Sequence, residues 1–219
     1  MTPQHHLGED MLLDYAAGSL SEGWTIAVAS HLALCPQCRA QSAQADLLGG
    51  TLLDSIASEP LAADAWGSIR ARLNAEPEDT QVEPPPATAV SKPVLPMPLR
   101  AYVGGDLDTI PWRALGRGAA QMLLSTADPT TQVRLLRIPA GKPVPEHSHG
   151  GRELTLVLAG SFRDGDLLFG PGDVEDADGS ILHTPTATPE ADCICLAVTD
   201  APLRFSSWLV RLIQPILKI

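Results

Sequence analysis

Three metal-capable side chains fall within eight residues in the stretch His31-Leu-Ala-Leu-Cys35-Pro-Gln-Cys38. Cys35 lies one helical turn beyond His31, so a persisting helix carries both on one face. Pro36 suits the first turn of a new helix, with Cys35 at its N-cap and Cys38 one turn inside. The free N–H groups of that helix start favour thiolate over thiol, and thiolate is the form that binds zinc. A lone Cys-x-x-Cys is shared with redox motifs, but a histidine four residues earlier favours zinc. Structural zinc takes four ligands. His5 and His6 are the histidines left in this half to close the tetrahedron, and His6 is the expected one; a water in its place would make a reactive site.

A second constellation begins at Gly141 and runs through His147-Ser-His149 to Glu153 and Gly160. On a strand His147 and His149 share a face, and Glu153 follows after a short turn, at the start of the next strand. Two imidazoles and one carboxylate form a mixed N/O set suited to divalent Zn, Mn, Fe or Ni. His183 is the one histidine further on and the expected fourth ligand. Cys193 and Cys195 also share a strand face. They read as small buried residues or as an oxidisable pair, and neighbours on one strand face have poor disulfide geometry.

The elements that must position these groups differ between the two halves. Glu9–Ala17 reads as a short helix stopped by Gly18. Ser19-x-x-Glu22 predicts a capping box for a second helix, whose stripe Leu20, Trp24, Ala27, Val28 and His31 has a period near 3.6. A third helix runs from Pro36 to near Gly49-Gly50, and a fourth covers Asp64–Asn74 with Trp66, Ile69 and Leu73 on one face. So small a core needs a staple, and zinc supplies one. Glu76–Pro98 contains seven prolines and reads as an extended spacer. Beyond it Gln132–Ile138, Glu153–Leu158 and Cys193–Thr199 read as strands between Gly/Pro/Asp turns, which predicts a barrel or jelly roll. The expectation is therefore a small all-α zinc domain at 1–75, a linker at 76–98 and an all-β domain at 99–219.

Composition narrows the function. The chain has 219 residues and a net charge of −11, which disfavours nucleic acid as a direct partner and suits a basic protein. Four cysteines, two of them in the metal cluster, imply no disulfide framework and a reducing cytoplasm. The start of the chain carries no apolar signal run. Leu203–Ile219 is 17 residues, interrupted by Arg204, Arg211 and Lys218, too short and charged to span a membrane.

His31-x3-Cys35-x2-Cys38 on a small acidic helical domain resembles the zinc-containing anti-sigma factors. The stretch Gly141 to Gly160 matches the first cupin motif in full. The second is matched at Gly165 and Pro171, with Gly172 following directly, His183 late, and Ala187 where asparagine is usual. The combination resembles the ChrR-type anti-sigma factors over essentially the whole chain. That resemblance implies zinc held by His6, His31, Cys35 and Cys38, and a cupin metal held by His147, His149, Glu153 and His183. It implies that the zinc domain clamps an extracytoplasmic-function sigma factor, one to one, away from core RNA polymerase. It further implies that the cupin domain is needed for release under singlet oxygen or related oxidants; with the metal chemistry of His147, His149 and Glu153, the expected mechanism is oxidant-driven rearrangement at the cupin metal site, transmitted through the Pro-rich linker.

Residues 1–75 hold eight acidic and three basic side chains, which suits competition for a sigma factor's basic surfaces. Trp66, Ile69 and Leu73 are either exposed anchors for that partner or internal core. The leading reading is a regulator and not an enzyme. A metal-dependent cupin dioxygenase or isomerase with an accessory zinc module is the alternative. A DNA-binding regulator is disfavoured by the acidic N-terminal half.

Overall fold

The computed structural model describes residues 2–75 and 93–217. Its helical half holds α1 (Glu9–Ala16), α2 (Glu22–Leu34), α3 (Pro36–Asp54) and α4 (Ala65–Asn74). After 76–92, which lie outside the described residues, come α5 (Met97–Val103), eleven strands and α6 (Trp208–Leu217).

Local signals set most boundaries. Gly18, at φ 68, follows the end of α1, where a left-handed residue lets the last carbonyls be satisfied. Pro36 opens α3, and the Cys35 side chain accepts from the Cys38 N–H. Two expectations fail. The helix cap is Ser21 rather than Ser19, whose hydroxyl donates instead to the Asp14 carbonyl. Glu22 does not reach back to make a capping box, because its carboxylate accepts from Tyr102 Oη at 3.0 Å and from the N–H groups of Ala127 and Asp128. Nor does α3 stop at Gly49-Gly50. Both glycines lie inside it, facing open space.

The β half is a barrel of three sheets. The largest is antiparallel, built from β1 (Arg113–Gly116), β2 (Ala119–Leu123), β3 (Gln132–Ile138), β10 (Cys193–Thr199), β5 (Glu153–Ala159) and β8 (Val174–Ala177), in that spatial order. A second pairs β11 (Leu203–Phe205) with β4 (His147–His149), and a third orders β7 (Leu167–Phe169), β6 (Phe162–Asp164) and β9 (Thr186–Ala187).

Period-two alternation sorts β10 onto two faces. Cys193 and Cys195 turn inward with Val157, Phe162 and Phe169, whereas Leu196 and Val198 join a core that also holds Ile26, Val28 and Leu32 of α2. Both faces of the central strands are covered, which explains their nearly unbroken apolar runs. The α2 helix packs on β5 and β10 on one side and on α1, α3 and α5 on others, so it is buried around most of its circumference. Gly23 permits that approach: a Cβ there would lie 2.1 Å from Thr131 Oγ1 and 3.0 Å from Val133 Cγ2. Leu95 and Leu99, in and just beyond the proline-rich stretch, are fully buried in the same core. The two halves therefore share one hydrophobic interior.

Two candidate metal centres

In the helical half, His6, His31, Cys35 and Cys38 converge, with donor atoms all within 4.8 Å of one another. The helix spacing does what the sequence predicts for the last three. His6 comes from the extended segment before α1, its Nδ1 lying 3.3 Å from Cys35 Sγ and 3.6 Å from Cys38 Sγ. His5 turns away, its Nε2 against the Leu168 carbonyl and its ring against Phe169. That distinguishes the two candidates geometrically.

His31 is wholly buried. Its Nδ1 lies 2.9 Å from the Gly172 carbonyl, and a carbonyl only accepts, so Nδ1 carries the proton. Nε2 then presents a lone pair into the cluster, where no hydrogen-bond partner meets it. Burial pushes the His31 pKa down to about 4, so the ring is neutral at pH 7. A buried acceptor without a donor is costly, and a cation at this point removes the cost. The thiols tell the same story by a different route. Burial pushes Cys38 up to about 11, so the helix start alone does not produce the expected thiolate; a bound divalent cation reverses that balance. Two imidazoles and two thiols suit tetrahedral zinc.

In the barrel, His147, His149 and His183 converge in the same way. Backbone pairing places them. His147 and His183 exchange both N–H···O bonds, at 3.1 and 3.0 Å, so their side chains start opposite each other. His147 Nδ1 donates to the Pro145 carbonyl at 2.8 Å, and His183 Nδ1 donates to Asp164 Oδ2 at 2.8 Å. With each ring in that single-proton tautomer, both Nε2 atoms bear lone pairs, and they face each other at 3.2 Å. His149 Nε2 stands 3.1 Å from that of His183. Burial lowers the His147 pKa, which disfavours an extra proton on that ring. A divalent cation among the three nitrogens satisfies the lone pairs instead.

Glu153 is placed beside this group rather than within it. Its Oε2 lies 3.4 Å from His149 Nδ1, without hydrogen-bond alignment, and Oε1 accepts from Thr155 Oγ1. Burial raises its pKa, but the adjacent His149 and His147 outweigh that and leave it lowered. Two carboxyl groups escape sequence reasoning altogether. Asp164 on β6 and Glu175 on β8 flank His183 Nδ1, at 2.8 and 3.9 Å. Burial, reinforced by Asp164, pushes Glu175 up to about 8, which keeps it protonated at neutral pH. Asp164 reads from sequence only as a turn residue, and nothing marks Glu175. A carboxylate on the far nitrogen of a metal-binding histidine orients the ring and raises its basicity. Cys193 and Cys195 are buried nearby and unbonded, with Sγ atoms 3.5 Å apart.

Among the described residues no helix is long and apolar enough to cross a membrane. The four-helix surface is different from the sites in kind. Leu47, Leu52, Leu53 and Ile56 in and just after α3, with Trp66, Ile69 and Leu73 on α4, are all exposed. The core alternative for the α4 residues is thereby set aside.

The model of a family described as the ChrR cupin-like domain matches residues 101–202. The anti-sigma-E factor ChrR of Cereibacter sphaeroides is 46% identical over 219 residues, covering all of both chains. A crystal structure of Rhodobacter sphaeroides SigE in complex with the anti-sigma ChrR matches with 42% identity and a TM-score of 0.78, covering 91% of this chain and 100% of that one. With both metal constellations in one shared fold, and identity of that extent over its full length, this chain belongs to the ChrR family of anti-sigma factors.

Proposed function

We propose that this protein binds an extracytoplasmic-function sigma factor one to one in the cytoplasm and withholds it from RNA polymerase through residues 1–75. Zinc on His6, His31, Cys35 and Cys38 holds α1, α2 and the start of α3 in the binding shape. The observation that carries this reading is the row of exposed apolar side chains along α3 and α4, headed by Trp66 at 66% exposure, on an acidic domain. Solvated leucines and a tryptophan in such a row are characteristic of a surface that a partner covers. A net acidic surround suits the basic surfaces with which a sigma factor meets promoter DNA.

In the barrel, a divalent metal on His147, His149 and His183, with Glu153 completing the set, is the proposed point of oxidant sensing. His147 and His183 turn their Nε2 atoms to the site while their Nδ1 atoms are engaged by the Pro145 carbonyl and Asp164, and the bound metal would supply a centre that an oxidant can alter. Release of the sigma factor follows from loosening of that centre.

The test uses the full chain with each extracytoplasmic-function sigma factor of its host, followed by size-exclusion chromatography with light scattering. A one-to-one complex that is lost on zinc chelation and in Cys35→Ala is the expected result. Absence of a complex with every such sigma factor overturns the reading.

A further inference from the structure

The turn Gly170-Pro171-Gly172-Asp173, between β7 and β8 of the barrel, bonds to one of the four candidate zinc ligands of the other domain, His31, and to the two residues that precede another, His6. The Gly172 carbonyl accepts from His31 Nδ1 at 2.9 Å and so fixes both the tautomer and the aim of that ring. Asp173 Oδ1 accepts from the Gln4 and His5 N–H groups at 2.5 and 2.9 Å, and Oδ2 accepts from the Gly170 N–H at 2.7 Å. The Val174 N–H adds a bond to the His5 carbonyl at 3.3 Å. The extended segment that ends in His6 is thus tied to the turn by three N–H···O bonds.

The contact is built for close approach. Gly172 adopts φ 92, and a Cβ on it would lie 2.7 Å from Pro3 Cγ. Asp173 is 5% exposed, so its carboxylate has little water to fall back on, and its bonds to backbone N–H groups are of the stronger, charge-assisted kind. The turn is also anchored to the barrel sheet. Gly172 N–H donates to the Val157 carbonyl and Val157 N–H to the Asp173 carbonyl, at 2.8 and 3.0 Å. Two residues past Asp173, on β8, stands Glu175, beside Asp164 and His183 of the barrel centre.

We propose that Gly172 and Asp173 are positioning residues of the zinc site, and that this turn couples the barrel's metal centre to the zinc centre across the domain contact. It rests on the zinc reading above. The route is short: His183, Glu175, Asp173, then the backbone before His6 and the ring of His31. It differs from transmission through the linker, because it requires folded contact between the halves. A shift of β8 when the barrel centre changes moves the Gly172 carbonyl and the Asp173 carboxylate together. His31 then loses the bond that aims its lone pair, and His6 loses the tether that brings it to the thiols.

Cobalt(II) tests this in the full-length chain, since its thiolate charge-transfer absorption reports the cysteine-bearing site. Cobalt transfer to an excess of a chelator is timed for the unaltered chain, Asp173→Ala, Asp173→Asn, and each combined with His149→Ala, which weakens the barrel centre. Loss of a partner that orients metal ligands speeds release about 10- to 100-fold. Asp173→Asn, which keeps one acceptor oxygen, falls between. His149→Ala speeds release in the unaltered background and has no added effect once Asp173 is replaced. Unchanged release from both Asp173 variants overturns the proposal, as does an effect of His149→Ala that persists in full without the carboxylate. Where Asp173→Ala fails to fold, Asp173→Asn decides. An unaltered chain that shows no thiolate band overturns the zinc reading itself, and this inference with it.

Discussion

Replacing Trp66 by alanine separates binding from folding, because the side chain has little to lose within the free protein. Trp66 is 66% exposed and belongs to no buried cluster among the described residues. Substitutions at such positions shift stability by about 0.5 kcal/mol or less. Covering the remaining area has a larger consequence. A tryptophan offers up to ~250 Å² of surface, so about two thirds of that, roughly 160 Å², is available to a partner. At ~25 cal/mol per Å² the ceiling is about 4 kcal/mol. Imperfect burial and side-chain ordering reduce this to about 2–3 kcal/mol for an interface anchor. Each ~1.4 kcal/mol is tenfold in affinity, so Trp66→Ala should weaken sigma-factor binding by roughly 30- to 150-fold. Titration calorimetry by competition gives the affinity, and urea unfolding of the free chain gives the stability. Unchanged affinity would refute the assignment of this face. So would a stability loss above ~2 kcal/mol, since it would mean that Trp66 is core.

Gly23→Val should loosen the contact between α2 and the barrel sheet by about 1–3 kcal/mol, because its side chain must displace Thr131 and Val133; a lowered urea midpoint checks it. Glu22→Ala removes the acceptor for Tyr102, Ala127 and Asp128. It should cost about 1–2 kcal/mol and raise hydrogen exchange at residues 126–128. At Asp106, burial alone would raise the carboxyl pKa, but the N–H groups of Leu95, Leu107 and Val94 outweigh it and leave it lowered. A depressed carboxyl stabilises fully above its unfolded value near 3.8 and loses that contribution as pH falls through the lower folded value. Asp106→Asn should therefore match the unaltered chain more closely at pH 2 than at pH 7 in urea unfolding. Removing zinc with a tight chelator should lower the thermal midpoint and raise hydrogen exchange at residues 4–38; full protection without metal would contradict a structural zinc.

Legibility from sequence tracked the range of the interactions. The chain states His31, Cys35 and Cys38 outright, because helical spacing and one proline bring them together. His147 and His149 follow from strand period, and β3 and β10 match their expected runs residue for residue. His183 is reached only by elimination. What places it is the backbone pairing with His147, a contact between residues 36 apart. Asp164 and Glu175 were invisible, since their proximity depends on how β6 and β8 fold onto the barrel. The capping box expected at Ser19 does not form because Glu22 finds better-placed donors in the other domain. Gly49 and Gly50 look like a stop but face solvent, where a helical glycine costs only about 1 kcal/mol. The burial of Leu95 beside a proline-rich run reflects a shared interior that periodicity cannot reveal.

The bond from His31 to Gly172 spans 141 residues, which gives the protein a history during synthesis. At roughly 5–20 residues per second, the carbonyl that aims His31 is made about 7–28 s after the histidine it serves. Throughout that interval His6, His31, Cys35 and Cys38 are present without the barrel turn that bonds to His31 and to the two residues before His6. If the turn aims His31 as proposed, a nascent chain should hold its zinc, and so its sigma factor, less firmly until the barrel has closed.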